Sequence, residues 1–408
     1  MSSLDDVLDQ RLQSIRAAGL YRYVRRVDSA QSPHLRLDDR DLLSFSSNDY
    51  LGLAEHPDLK RAAIEAVERY GAGCGASRLI CGSLAPHHEL EEAISSFKGT
   101  EATLVFGSGY AAALGTIPAL LGTEDTVVLD KLVHASIVDA ARLSGAKLRV
   151  FAHNDLNDLE EILLWASRSR KGKVLVVTES AFSMDGDLAP LKDLVQLKER
   201  HGAWLMVDEA HATGLYGLRR RGLAEELNVA AHIEIQMGTL GKAVGASGGY
   251  ICGSRRLADY LLNRARSFIF STAPVPAAAA AATAGISLIQ GETGRARTAH
   301  VWELVRQLAS QFAPAQSGNS CKTAPGSAPS DSPAWRLTAT SPILPLIIGS
   351  ESDALRAAAA LQELGIFVPA IRYPTVARGA ARLRITLSAS HTAQEVARLG
   401  NALQELAL

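Results

Sequence analysis

The stretch Trp204-Leu205-Met206-Val207-Asp208-Glu209-Ala210-His211 decides how this chain folds. Four apolar residues in an unbroken run, closed by an acid, read as a strand covered on both faces that delivers a carboxylate at its end. A carboxylate leaving a buried strand needs a partner, because desolvation otherwise opposes its charge. A salt bridge, a metal ion or a protonated pyridine nitrogen would each serve, and Asp-x-x-His alone does not choose among them.

Working outward, short β-rich runs recur at residues 103–106, 126–129, 148–151, 174–178, 234–237 and 249–252. Amphipathic stretches such as 156–167 and 191–200 separate them and are long enough to be crossover helices. Repeated strand–helix–strand units predict an α/β fold with a mostly parallel central sheet flanked by helices. Ligands in such sheets collect at the carboxyl ends of the strands. From about residue 286 the pattern becomes helix, strand, helix, strand, which predicts a smaller α+β C-terminal domain. The division expected is 1–50 as an N-terminal helix (4–18) with short strands, 51–285 as the large domain, and 286–408 as the small one. Within the last, residues 313–332 are rich in Ala, Pro, Gly and Ser and read as a mobile loop.

Bulk properties exclude several classes. Lys plus Arg number 42 against 43 for Asp plus Glu, so the formal net charge of −1 offers no general pull toward nucleic acid or anionic membrane. Cys74, Cys81, Cys252 and Cys321 form no Cys-x-x-Cys pair and read as reduced thiols. The first ten residues carry acids and no long apolar stretch, unlike a secretory signal. The alanine-rich run 276–288 is too short to span a bilayer. A cytoplasmic protein without membrane or nucleic-acid partners is the expectation.

Three further segments carry the chemistry. Phe106-Gly107-Ser108-Gly109-Tyr110 runs from a strand through small residues into a helix, where free N–H groups suit a phosphate. Met237-Gly238-Thr239-Leu240-Gly241-Lys242-Ala243 sets one lysine among small residues after a strand. Glycines there let backbone approach a ligand closely, and a lysine held from water has the lowered amine pKa that Schiff-base formation requires. A phosphate-loop reading fails, since Ala243 follows Lys242 where Ser or Thr should stand. Finally, Asp130-Lys131-Leu132-Val133-His134 carries a histidine whose ordinary reading is a hydrogen-bonded core residue. A dinucleotide-binding enzyme is the rival from another class, but Gly73-Cys74-Gly75 is followed by Arg78 where its third glycine belongs.

Together these segments resemble the fold-type I pyridoxal-phosphate transferases, and within them the α-oxoamine synthases, which condense an amino acid with an acyl thioester and release carbon dioxide. The stretches 46–53, 75–82, 179–187 and 264–272 carry the same resemblance. It implies pyridoxal 5'-phosphate bound covalently to Lys242, which also removes the substrate's α-proton. Asp208 would pair with the pyridine nitrogen and His211 with the ring oxygen. His134 would stack on the ring at the substrate side. Thr239 and the backbone of Gly109 and Tyr110 would hold the phosphate, Ser183 would line the ring and Glu179 would orient it.

Asn48 and Arg372 are the candidates for the substrate carboxylate, with Thr375 and Arg22 facing the acyl side. The resemblance also implies a homodimer in which Ser271 and Thr272 reach the partner's phosphate, although a plain turn explains them equally. Residues 368–376 and 381–389 lean toward the branch that uses L-alanine with pimeloyl-CoA, or a pimeloyl-carrier protein. Ser247-Gly248-Gly249-Tyr250 also resembles relatives using glycine and a shorter acyl-CoA.

Overall fold

A computed structural model of the chain describes residues 3–168, 172–312 and 337–406. Near the N-terminus, β1 (His34–Leu37) and β2 (Arg40–Ser44) form an antiparallel hairpin. The large sheet follows from β3 (Ala102–Phe106), β4 (Thr126–Asp130), β5 (Lys147–Phe151), β6 (Val174–Glu179), β7 (Trp204–Asp208), β8 (Ile235–Thr239) and β9 (Gly249–Gly253). Its spatial order is β3-β9-β8-β7-β6-β4-β5. Every pairing is parallel except those of β9, which runs against both β3 and β8. All seven expected strands are present, most shifted by one residue or so at their ends.

The fully buried patterns of β3 and β4 have a direct cause, since helices cover both sides of the sheet. Helices Gly109–Leu120, Ala135–Ser144 and Arg255–Arg264 supply Ala112, Ile117, Ile137 and Leu261 to one core. Helices Ala85–Lys98, Leu156–Arg168, Leu191–His201 and Pro276–Gln290 supply Leu90, Phe97, Leu163, Leu194 and Ile286 to the other. The chain leaves β4 toward β5 on one side and reaches β6, β7 and β8 on the other. That reversal opens a crevice at the carboxyl ends of the strands.

Toward the C-terminus, β10 (Ile343–Gly349), β11 (Ile366–Phe367), β12 (Ala370–Ile371) and β13 (Ala381–Thr386) complete the strands. β10, β13 and β12 make an antiparallel sheet. β11 instead joins β2 in parallel, tying the first fifty residues to the last fifty. Arg25 Nη1 donates to Gln362 Oε1 across 337 residues of chain, and Ser46 Oγ donates to the carbonyl of Phe367. The 313–332 stretch expected to be loose lies outside the described residues. No helix among the described residues is long and apolar enough to cross a membrane.

Candidate active site

The crevice gathers residues from five strand ends. β8 and β9 are antiparallel, so the loop between them folds back at once: Leu240 N–H donates to Gly248 O and Ala246 N–H to Leu240 O. This hairpin carries Lys242, whose Nζ lies 2.7 Å from Nε2 of His211. The other ring nitrogen, Nδ1, lies 2.6 Å from the hydroxyl of Tyr50. Burial, then the nearby Lys242 charge, pushes His211 well below its ordinary pKa, so the imidazole is neutral and has one donor and one acceptor to offer. Burial likewise pulls the Lys242 amine down to about 8, although Asp208 and Glu179 oppose it. A largely desolvated amine that is partly neutral near physiological pH is a competent nucleophile and base.

Asp208 closes β7 and is 5% exposed; its Oδ1 accepts from the backbone N–H of Ala210 at 2.9 Å. Burial raises its pKa, as it does for Glu179, pushed up to about 8 by burial and by Asp208. One oxygen of Glu179, Oε1, is buried without a hydrogen-bond partner. Two desolvated carboxylates and an orphaned oxygen mark a pocket shaped for a polar group that the protein alone does not supply.

The proposed phosphate cradle has a physical basis at Gly249. A Cβ there would lie 2.4 Å from Gly109 N and 2.5 Å from Ser108 C, so only glycine lets β9 approach the start of the helix this closely. Ser108 caps that helix by accepting from Ala111 N–H, and the first helical N–H groups, from Gly109 onward, have no intrahelical acceptor. The Thr239 side chain lies against Gly109, and its hydroxyl donates to Gly248 O. Tyr110 is 45% exposed and its own hydroxyl donates to Asp139. His134 caps the next helix by accepting Ser136 N–H at Nδ1, which leaves Nε2 protonated and the exposed ring available for stacking.

The residues expected to bind substrate divide into two groups. Asn48 faces the Lys242 pocket, where its Oδ1 accepts from Arg384 Nη2 at 3.1 Å. Arg372 Nη1 donates to Gly19 O, and with Leu20, Arg22, Tyr373 and Thr375 it lines a cavity of about 140 Å³. Arg384 and Tyr50 are the residues that sequence reasoning left without a role. Arg384 is buried, with Nε donating to Ser183 O and Nη1 to Thr386 Oγ1. The signal lies in Arg382-Leu383-Arg384-Ile385-Thr386, where strand alternation sets Arg384 beside polar groups on a fully buried strand. Ser271 and Thr272 are exposed, and Thr272 bridges to Ser77.

A half-buried amine, a carboxylate at the end of β7, a neutral histidine between the amine and Tyr50 and a glycine-lined helix start fit pyridoxal phosphate. Lys242 would hold it covalently, Asp208 its ring nitrogen, and Gly109 with Thr239 its phosphate.

The fold and this donor set define a fold-type I pyridoxal-phosphate transferase, and the chain belongs to the aminotransferase class I and II family, whose model matches residues 40–403. Within it the chain is similar to 8-amino-7-oxononanoate synthases. It is 47% identical over 387 residues to that of Geobacter sulfurreducens, covering 95% of this chain and 94% of the relative. It is 43% identical over 406 residues to that of Bordetella petrii, covering 98% and 97%. Among solved structures, a serine palmitoyltransferase from S. paucimobilis with bound PLP and myriocin superposes with a TM-score of 0.86 at 29% identity, covering 98% of this chain and 96% of that one. An 8-amino-7-oxononanoate synthase from Francisella tularensis gives a TM-score of 0.71 at 26% identity, covering 89% and 96%.

Proposed function

We propose that the protein makes 8-amino-7-oxononanoate for biotin synthesis, joining L-alanine to a pimeloyl thioester with loss of carbon dioxide and the free thiol. The observation that carries the reading is Lys242 Nζ at 2.7 Å from His211 Nε2, beside the buried Asp208. Pyridoxal phosphate, when bound, supplies an electron-withdrawing ring that accepts the electron pair released at the α-carbon. Lys242 Nζ takes the α-proton and later returns one, since its lowered pKa lets it do both near neutral pH. Asp208 keeps the ring nitrogen protonated, and His211 donates or accepts through Nε2.

Arg384 grips the alanine carboxylate. Three of its five N–H donors are held by Ser183, Thr386 and Asn48, which fixes the plane and leaves one donor on each terminal nitrogen for a carboxylate. Arg22, Arg372 and Thr375, around their shared cavity, take the acyl side. A second copy of the chain covers the face where Phe270 is 71% exposed and Ile80 79%, bringing Ser271 and Thr272 toward its phosphate cradle. The protein works in the cytoplasm, with residues 51–285 holding the cofactor, 286–408 as the small domain, and the N-terminal segment joined to the latter through β2.

The test is product formation by the cofactor-loaded protein. L-alanine with pimeloyl-CoA, or with a pimeloyl-carrier protein, should yield 8-amino-7-oxononanoate and a free thiol. Turnover confined to glycine with acetyl-CoA would overturn the substrate assignment and leave the cofactor chemistry standing.

A further inference from the structure

Away from the reacting groups, His153 sits in the turn after β5 with an acid on each side. Its Nδ1 lies 2.9 Å from Asp130 Oδ1 and its Nε2 2.7 Å from Asp187 Oδ2. A carboxylate offers only acceptors, so both ring nitrogens must donate, and the ring between two carboxylates is an imidazolium. Burial opposes that charge, yet the hydrogen bonds to Asp130 and Asp187 outweigh it and hold the ring's pKa near 10. Asp130 is fully buried and also accepts from the N–H groups of Leu132 and Asn154. Asn154 Nδ2 adds a second tie, donating to Asp187 Oδ2 and Leu188 O. The imidazole stands edge-on to Phe182, ring centres 4.4 Å apart at 88°.

The two carboxylates belong to two different walls of the cofactor pocket. Asp130 ends β4 and opens the loop that presents the His134 ring four residues on. Asp187 ends the turn 182–187, closed by Phe182 N–H to Asp187 O and Gly186 N–H to Phe182 O. That turn carries Ser183, whose carbonyl holds Arg384. Glu179 also touches both loops, accepting from the backbone N–H groups of His134 and Ser183, so His153 acts from the far side of the same two segments as a second, charged tie.

We propose that His153 is a positioning residue: its imidazolium, clamped between Asp130 and Asp187, fixes the spacing between the His134 loop and the Ser183 turn, and so the width of the slot for the pyridoxal-phosphate ring. The inference rests on the cofactor reading given above. Charge-assisted hydrogen bonds on both nitrogens resist spreading of the slot more than neutral ones would.

The experiment compares pyridoxal-phosphate affinity and the visible circular dichroism of the bound cofactor in the wild type and His153→Asn, alongside the thermal midpoint of each cofactor-free protein. Asn reaches one carboxylate but carries no charge, so affinity should fall about tenfold and the dichroic band should weaken. A lowered midpoint with unchanged affinity and band would overturn the proposal, since that is what a purely structural role produces. Should His153→Asn fail to fold, Asp187→Asn keeps the Asp130 contact, and affinity for the cofactor should still fall about threefold; unchanged affinity there overturns it equally. A wild type that binds no pyridoxal phosphate would sink the cofactor reading itself, a result distinct from either.

Discussion

Glu179 and Asp208 stand opposite each other on adjacent parallel strands, both buried, at the carboxyl end of the sheet. Strand pairing, rather than any ligand, forces these acids together. Glu179 ordinarily titrates near 4.5, but in the fold it keeps its proton to about 8, first through burial and then through Asp208. The folded state therefore binds more protons than the unfolded chain between those values. The stability from this group is complete below about 4.5 and is lost as pH rises toward 8. The thermal midpoint of the cofactor-free wild type should thus decline relative to Glu179→Gln across that window. Parallel curves for the two proteins would refute the raised pKa.

Arg384→Lys should raise the KM for L-alanine about 10- to 100-fold, because an ammonium cannot supply two parallel donors. The KM for the acyl donor should hardly move. Arg372→Ala should do the reverse, raising the acyl-donor KM and sparing that for alanine. Steady-state kinetics with each substrate varied in turn separate the two; a shared effect on alanine from both variants would place the arginines in one subsite.

Lys98 and Glu209 form an ion pair whose side chains are each 1% exposed, and Glu209 also accepts from Ala224 N–H. Lys98→Met should cost about 3–5 kcal/mol, since it strands a buried carboxylate beside the strand end that carries Asp208. The double variant Lys98→Met with Glu209→Gln should recover much of that loss. Urea denaturation of both would check it, and a single variant as stable as the wild type would contradict the burial.

Gly249→Ala sets a methyl group against the Ser108–Gly109 backbone. Displacement of the helix start should cost about 1–3 kcal/mol. It should also weaken binding of pyridoxal phosphate more than binding of the phosphate-free aldehyde, pyridoxal. Equal losses for both, measured by absorbance titration, would mean that this helix start does not hold the phosphate.

The sheet was legible because parallel strands buried on both faces leave unbroken apolar runs, such as 127–129 and 204–207. Lys242, Asp208 and His211 were legible because each follows such a run at short range. Glu234, read as strand, instead ties Lys198 to Leu205 N–H and leaves β8 to start one residue later. Arg384 was missed for another reason: its partners Asn48 and Ser183 lie 336 and 201 residues away, and no local pattern records a meeting at that range. His153 was hidden likewise, since Asp130 and Asp187 approach it from separate loops.

The parallel pairing of β2 with β11 has a bearing on biosynthesis. A chain emerging from the ribosome can fold its large sheet while its first fifty residues wait for a strand near position 366. Asn48 meets Arg384 only after both are made. A product truncated before Arg384 could therefore bury a core and even hold a cofactor, yet it would lack a grip on the amino acid, so chemistry on alanine waits until translation has passed that residue.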